Sequence, residues 1–206
     1  MNIACLGWGS LVWSRRDLPC RGVWHLDGPF LPIEFSRVSS DDRVTLTITE
    51  GVPPARSLWT QLDCASLEES VRALALREGI GCPSTGEFPC SIAYWSKDNG
   101  ASPHHEVDAV AAFSKRVGLD ATVWTALKPG MSKKSRGEVP SQEQLAKHLR
   151  GLPSHALAQA EAYVRNTPAP IDTPNRRFFQ ELFGWRPTDL AYSACGLASH
   201  LKCNKP

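Results

Sequence analysis

Residues 4–13, Ala-Cys-Leu-Gly-Trp-Gly-Ser-Leu-Val-Trp, constrain this chain more than any other stretch. A short apolar strand over residues 3–6 runs straight into Gly7-Trp8-Gly9-Ser10-Leu11. A strand followed by glycine and serine lets successive backbone N–H groups converge on one point. Such a concavity binds a carboxylate, a phosphate or an oxyanion without a positive side chain. Glycine is the residue that lets a ligand approach the backbone this closely, and it takes a positive φ at no steric cost. The alternative is a tight turn after an edge strand.

The rest of the composition bounds what such a loop can serve. At 206 residues and 42% hydrophobic, the chain suits one globular domain, with room for a helical appendage. Lysine and arginine outnumber aspartate and glutamate by only 23 to 21, and the signs are mixed along the chain. The longest basic run, Lys133-Lys134-Ser135-Arg136, sits between Gly130 and Gly137 and reads as a solvated loop. Nucleic acid is therefore not the expected partner, because that footprint needs a clustered basic stripe. No run of eighteen apolar residues exists, which argues against a membrane span. The N-terminus reads as the first strand rather than as a leader. Seven cysteines (Cys5, Cys20, Cys64, Cys82, Cys90, Cys195, Cys203) are scattered without a C-x-x-C pair. That pattern suggests neither a zinc ribbon nor a disulfide framework, so reduced thiols in a cytoplasmic protein are expected.

Alternation and β-branched residues predict strands near residues 2–7, 31–37, 43–49, 55–62 and 121–127. Ser39-Ser40-Asp41-Asp42 supplies a turn, so the second and third strands read as an antiparallel hairpin. Ser66-Leu67-Glu68-Glu69 is a capping box that opens a helix, with apolar positions at Leu67, Val71, Leu74 and Ala75 and a stop at Gly79. Residues 80–109 read as irregular, broken by a strand-like 91–95. Beyond Gly130 the texture turns helical, with helices expected over 142–149, 154–164 and 173–183. The expected organisation is a single domain, residues 1–206. Its β-rich core, 1–130, carries the site, and residues 131–206 form a helical C-terminal extension.

Arg77-Glu78-Gly79 is the second feature that carries chemistry. Gly79 stands where a C-cap glycine belongs, which puts Glu78 in the last helical turn. Cations are favoured there, and an acid faces the negative end of the helix dipole at a cost of about a few tenths of a kcal/mol. A carboxylate that is locally disfavoured is a candidate for proton transfer. The alternative is a surface glutamate paired with Arg77 or with a cation from a loop. Other candidates are weaker. His104-His105-Glu106 has no third ligand spaced to join it, so no metal site is expected. Cys5 lies in the first strand and reads as buried and inert. Glu34 and Arg37 are three residues apart on a strand, so one can face an interior site while the other meets solvent. Asp63 and Ser66 read as serving the helix start.

Together these segments resemble the γ-glutamylcyclotransferase-like family. The pattern is an N-terminal strand running into Tyr-Gly-Ser-Leu, an apolar strand containing Phe, and a strand-turn-helix ending in an acidic residue before Gly. Here the parts read Leu6-Gly7-Trp8-Gly9-Ser10-Leu11, then Leu31-Pro-Ile-Glu-Phe-Ser-Arg37. Ser57-Leu-Trp-Thr-Gln-Leu-Asp63 follows, with Leu67 through Arg77-Glu78-Gly79 behind it. Val123-Trp124-Thr125 resembles the family's later strand. The likeness covers roughly residues 2–165 in order. Trp8 stands where the family has tyrosine, residues 80–120 depart from the usual continuation, and the last forty residues have no counterpart.

The resemblance implies an α+β fold with a small mixed, barrel-like sheet, a packed internal helix and a helical C-terminal part. It implies cleavage of a γ-glutamyl amine or peptide by intramolecular cyclisation to 5-oxoproline, an acyltransferase or lyase type of activity. Glu78 would be the general base and the backbone of Gly9, Ser10 and Leu11 the anion cradle. Trp8 is expected as a pocket wall and Arg37 as a carboxylate partner. No cofactor and no metal is required, because both reacting groups belong to one substrate molecule. The rival expectations are a non-catalytic small-molecule or peptide binder on the same scaffold, and an interaction protein whose Trp13, Trp24 and Trp185 are exposed.

Overall fold

The first strand, β1 (Ile3–Gly7), is buried along its whole length and takes the middle of the main sheet. The computed structural model describes residues 1–81, 87–103 and 106–188, so Cys82, His104, His105, Cys195 and Cys203 lie outside the described residues. Two partners flank β1. On one side β7 (Leu58–Leu62) pairs antiparallel with it, Leu6 opposite Trp59. On the other, β10 (Ala121–Thr125) runs parallel, Cys5 opposite Val123. With β2 (Cys20–His25), β8 (Ile92–Ser96) and β9 (Gly100–Ala101), the order is β2-β7-β1-β10-β8-β9.

A strand buried on both faces needs cover on both. One cover is α1 (Leu67–Glu78), which packs against β10 and β8. The Ser66 hydroxyl accepts the Glu69 N–H at 3.1 Å, and the Glu69 carboxylate accepts the Ala65 N–H at 2.7 Å. Its core stripe is Leu67, Val71, Leu74 and Ala75, and burying a side chain such as Leu74 stabilises the fold by about 1.5–3 kcal/mol. The helix ends at Gly79, whose φ of 68° is left-handed. The other cover is α2 (Val107–Val117), whose Ser114 hydroxyl meets the Thr122 hydroxyl at 2.6 Å and whose Phe113 meets the Trp59 edge. This helix falls where an irregular segment is expected to end. Its N-cap, Glu106, makes no side-chain capping bond, so the usual start signal is missing.

The expected hairpin is present as β4 (Ile33–Val38) and β5 (Val44–Ile48), antiparallel with a register shift between Phe35 and Arg37. The strand expected over 55–62 is two. Ala55–Arg56 (β6) pairs with Phe30–Leu31 (β3), and Ser57 turns the corner by donating its N–H and its hydroxyl to Pro29 O. The fold is thus α+β, with a mixed six-stranded sheet and two two-stranded ribbons. Among the described residues strand pairing closes no barrel, which corrects the barrel-like expectation.

The C-terminal helices are α3 (Gln142–Arg150), α4 (Ser154–Asn166) and α5 (Pro174–Phe183). They are integral to the core rather than an appendage: α4 packs on β5 and α5 on β4. Glu34, buried under them, fixes α5. Its carboxylate accepts from Thr173 Oγ1 at 2.5 Å, from the Phe35 N–H at 2.7 Å and from the Asn175 N–H at 3.2 Å. Trp24 and Trp185 are buried and Trp13 is half-buried, so the exposed tryptophans that an interaction protein would show are not there. No helix among the described residues is long and apolar enough to cross a membrane.

Candidate functional site

Glu78 reaches the interior because of its register. Positions 67, 71, 74 and 78 repeat at heptad spacing, so the carboxylate occupies the last step of the apolar stripe of α1. There it lines a cavity of about 710 Å³ together with Trp8, Gly9, Ser10, Leu11 and Arg37. The segments at 8–11 and at 78 therefore meet in one cavity despite their separation in sequence.

Arg77 is the piece that joins them. Its Nη1 donates to Glu78 Oε1 at 2.6 Å, and its Nη2 donates to Ser14 O at 2.6 Å and to Ser10 Oγ at 3.3 Å. The guanidinium is 5% exposed and the Glu78 side chain 17%. The expected alternative is thus half present, since the glutamate does pair with its neighbour, but inside the cavity rather than on the surface. Glu78 Oε2 has no hydrogen-bond partner among the described residues.

The first loop is a tight turn and a cavity wall at once. Val12 N–H bonds Gly9 O at 2.9 Å and Ser14 N–H bonds Ser10 O at 2.8 Å. The Gly9 and Leu11 N–H groups find no acceptor among the described residues. Neither Gly7 nor Gly9 has a positive φ, so the expected conformational reason for glycine does not apply. The reason is space. A Cβ on Gly7 would come within 2.6 Å of the Trp24 ring, and a Cβ on Gly9 would overlap the Tyr163 hydroxyl oxygen.

Tyr163 is the residue the sequence did not announce. It lies on α4 among Ala156, Ala160 and Val164, a spacing that reads as ordinary core. Its ring meets Trp13 edge-on at 5.3 Å and Phe35 at 6.3 Å, and the residue lines the cavity. Burial, with Glu78 nearby, pushes its pKa up to about 12, although the backbone N–H groups of Leu46 and Ser10 oppose the shift. The hydroxyl stays protonated at neutral pH. Met131, Lys133 and Arg136 also line the cavity, so the site is not confined to residues 1–130.

Glu34 does not belong to this site. It is 2% exposed, its oxygens are committed to α5, and burial raises its pKa against the pull of those hydrogen bonds. Arg37, three residues further along β4, does line the cavity. Cys5 is fully buried, and burial holds its thiol well above the ordinary value, which keeps it unreactive. Among the described residues no cluster of histidine, cysteine and carboxylate could hold a metal ion.

Compared with protein-family models, with curated proteins and with solved structures, the chain matches none.

Proposed function

We propose that the cavity binds a γ-glutamyl compound and cyclises it to 5-oxoproline, with Glu78 as general base. The observation that carries this reading is the placement of a carboxylate with one unpartnered oxygen in the same cavity as the two unpartnered N–H groups of the first loop. The substrate's α-ammonium must lose a proton before its nitrogen can attack the γ-carbonyl, and Glu78 Oε2 takes that proton. The new C–N bond closes a five-membered ring and places negative charge on the carbonyl oxygen. As the tetrahedral centre collapses, the original amide C–N bond breaks and the proton held by Glu78 passes to the leaving nitrogen. The ring nitrogen gives its second proton to Glu78 and from there to the released amine, leaving the neutral lactam of 5-oxoproline and an ammonium product. No electron donor or acceptor enters the balance.

The Gly9 and Leu11 N–H groups suit the substrate's own carboxylate or the developing oxyanion. The Arg77 bridge fixes the base against the loop, which is what an intramolecular attack geometry needs. Trp8 closes one wall of the cavity. Tyr163 returns a hydroxyl to a site whose first loop carries Trp8 where the resembled family has tyrosine.

The test is 5-oxoproline release from γ-glutamyl amino acids, γ-glutamyl polyamines and glutathione, each also measured for binding. Release that is lost in Glu78→Gln with binding retained supports the reading. Binding without release by the unaltered chain would instead indicate a non-catalytic binder on the same scaffold.

A further inference from the structure

The cavity carries more positive charge than the first loop and Glu78 account for. Arg16, Arg37, Arg43, Arg77, Lys133 and Arg136 all line it. Facing them are three carboxylates, Asp41, Asp42 and Glu78. Two of these are committed, Glu78 to Arg77 at 2.6 Å and Asp41 to Arg43 at 2.5 Å. Asp42 forms no ion pair among the described residues. Arg37 and Arg136 therefore have no carboxylate partner among the described residues.

Both guanidiniums are nevertheless held in place. Arg37 Nη1 donates to Lys128 O at 2.9 Å. Arg136 donates to Gly130 O through Nη1 and to Val38 O at 2.8 Å through Nη2. The loop that carries Arg136 is stitched to β4 by the main chain, with Val38 N–H on Gly130 O at 3.0 Å and Gly130 N–H on Ser36 O at 2.8 Å. Gly130 is required for that stitch, because its φ of 137° and the closeness of Ser135 leave no room for a side chain. Each guanidinium thus spends only one or two of its five N–H donors on main-chain carbonyls. Burial weakens the hold of both on their protons, and Arg136 adds to the effect on Arg37. Two fixed like charges, partly withdrawn from water, disfavour each other until an anion sits between or against them. Planar forks of this kind match the oxygens of a carboxylate or a phosphate.

We propose that Arg37 and Arg136 form an oxyanion subsite of this cavity, built from β4 and the 128–136 loop and sharing no hydrogen bond with the glycine loop. It takes a carboxylate or phosphate group on the part of the ligand remote from that loop. If the γ-glutamyl reading of the cavity holds, on which this last step rests, the leaving amine carries a negative group, and γ-glutamyl polyamines are disfavoured.

The subsite is tested by titrating the full chain, labelled with ¹⁵N at arginine, with inorganic phosphate and separately with glutarate at constant ionic strength. The Nε–H resonances of Arg37 and Arg136 should shift saturably with at least one of the two ions. Arg37→Gln should weaken that binding by about tenfold or more, and Arg37→Lys, which keeps the charge but not the fork, should recover only part of it. Whichever ion binds more tightly identifies the source of the oxyanion. Resonances that do not move with either ion, or unchanged affinity in a folded Arg37→Gln, overturn the proposal. The titration of the unaltered chain decides even if a variant fails to fold. Because it reads no turnover, its outcome is independent of whether 5-oxoproline is released.

Discussion

The claim that Gly9 is a glycine because of Tyr163 can be tested by a double-mutant cycle. In the native structure a Cβ at position 9 overlaps the Tyr163 hydroxyl oxygen, while the next atom, Cζ of the same ring, is 3.3 Å away. Gly9→Ala should therefore cost about 1–3 kcal/mol, the usual range for inserting a methyl group into filled space. Gly9 has no positive φ, so no backbone strain adds to this figure. In a Tyr163→Phe background the overlapping atom is gone and the 3.3 Å contact asks for a shift of only a few tenths of an ångström. The same Gly9→Ala change should then cost less than about 1 kcal/mol, within what a small packing adjustment absorbs. The two changes should be coupled by about 1–2 kcal/mol, well above the few tenths expected of independent sites. Urea denaturation of the four proteins reads this directly. With a slope of about 2–3 kcal/mol per molar, a 2 kcal/mol loss moves the midpoint by roughly 0.7–1 M. Costs that simply add, to within about 0.5 kcal/mol, would refute the steric account of Gly9.

Other expectations follow from the same geometry. Glu78→Gln keeps the shape of the side chain but cannot take the proton, so 5-oxoproline release should fall by about 10²–10⁴-fold while substrate affinity changes little; undiminished turnover would rule out Glu78 as the base. Arg77→Met leaves the Glu78 carboxylate without its partner and the Ser14 carbonyl without its donor, and should destabilise the fold by about 3 kcal/mol, read by chemical denaturation. Burial raises the Glu34 carboxyl above its ordinary 4.5, so the folded state holds an extra proton just above that value, and this group's contribution to stability is lost as pH rises through the raised value. Glu34→Gln should abolish that pH dependence while costing about 1–3 kcal/mol for the donors left unpaired on α5; denaturation midpoints followed across pH show whether the slope disappears.

What was legible in the chain is what local spacing encodes. The run of Leu67, Val71 and Leu74 followed by Glu78 places a carboxylate on a buried stripe, and Gly79 marks where that stripe ends. The turn at 39–42 gives the hairpin, and the apolar first strand gives the middle of the sheet. The hidden parts depend on contacts far apart in sequence. Tyr163 sits on the apolar face of α4, where any aromatic reads as core, and only the approach of α4 to β5 brings its hydroxyl to Gly9. Arg136 belongs to a basic run that reads as a solvated loop until Gly130 is seen bonded to β4. Glu34 reads as a residue that can face an interior site, and the side-chain and helix-start donors that occupy it come from residues about 140 positions later, Thr173 and Asn175. The helix over 107–117 lacks a capping side chain, so nothing local marks its beginning.

The Arg77 guanidinium also has a mechanical consequence. By gripping Ser14 O, Ser10 Oγ and Glu78 Oε1 at once, it makes the final turn of α1 and the first loop a single rigid lever. A shift of that helix end that keeps these three bonds carries the carboxylate and the loop together, so the spacing between them is held by one side chain.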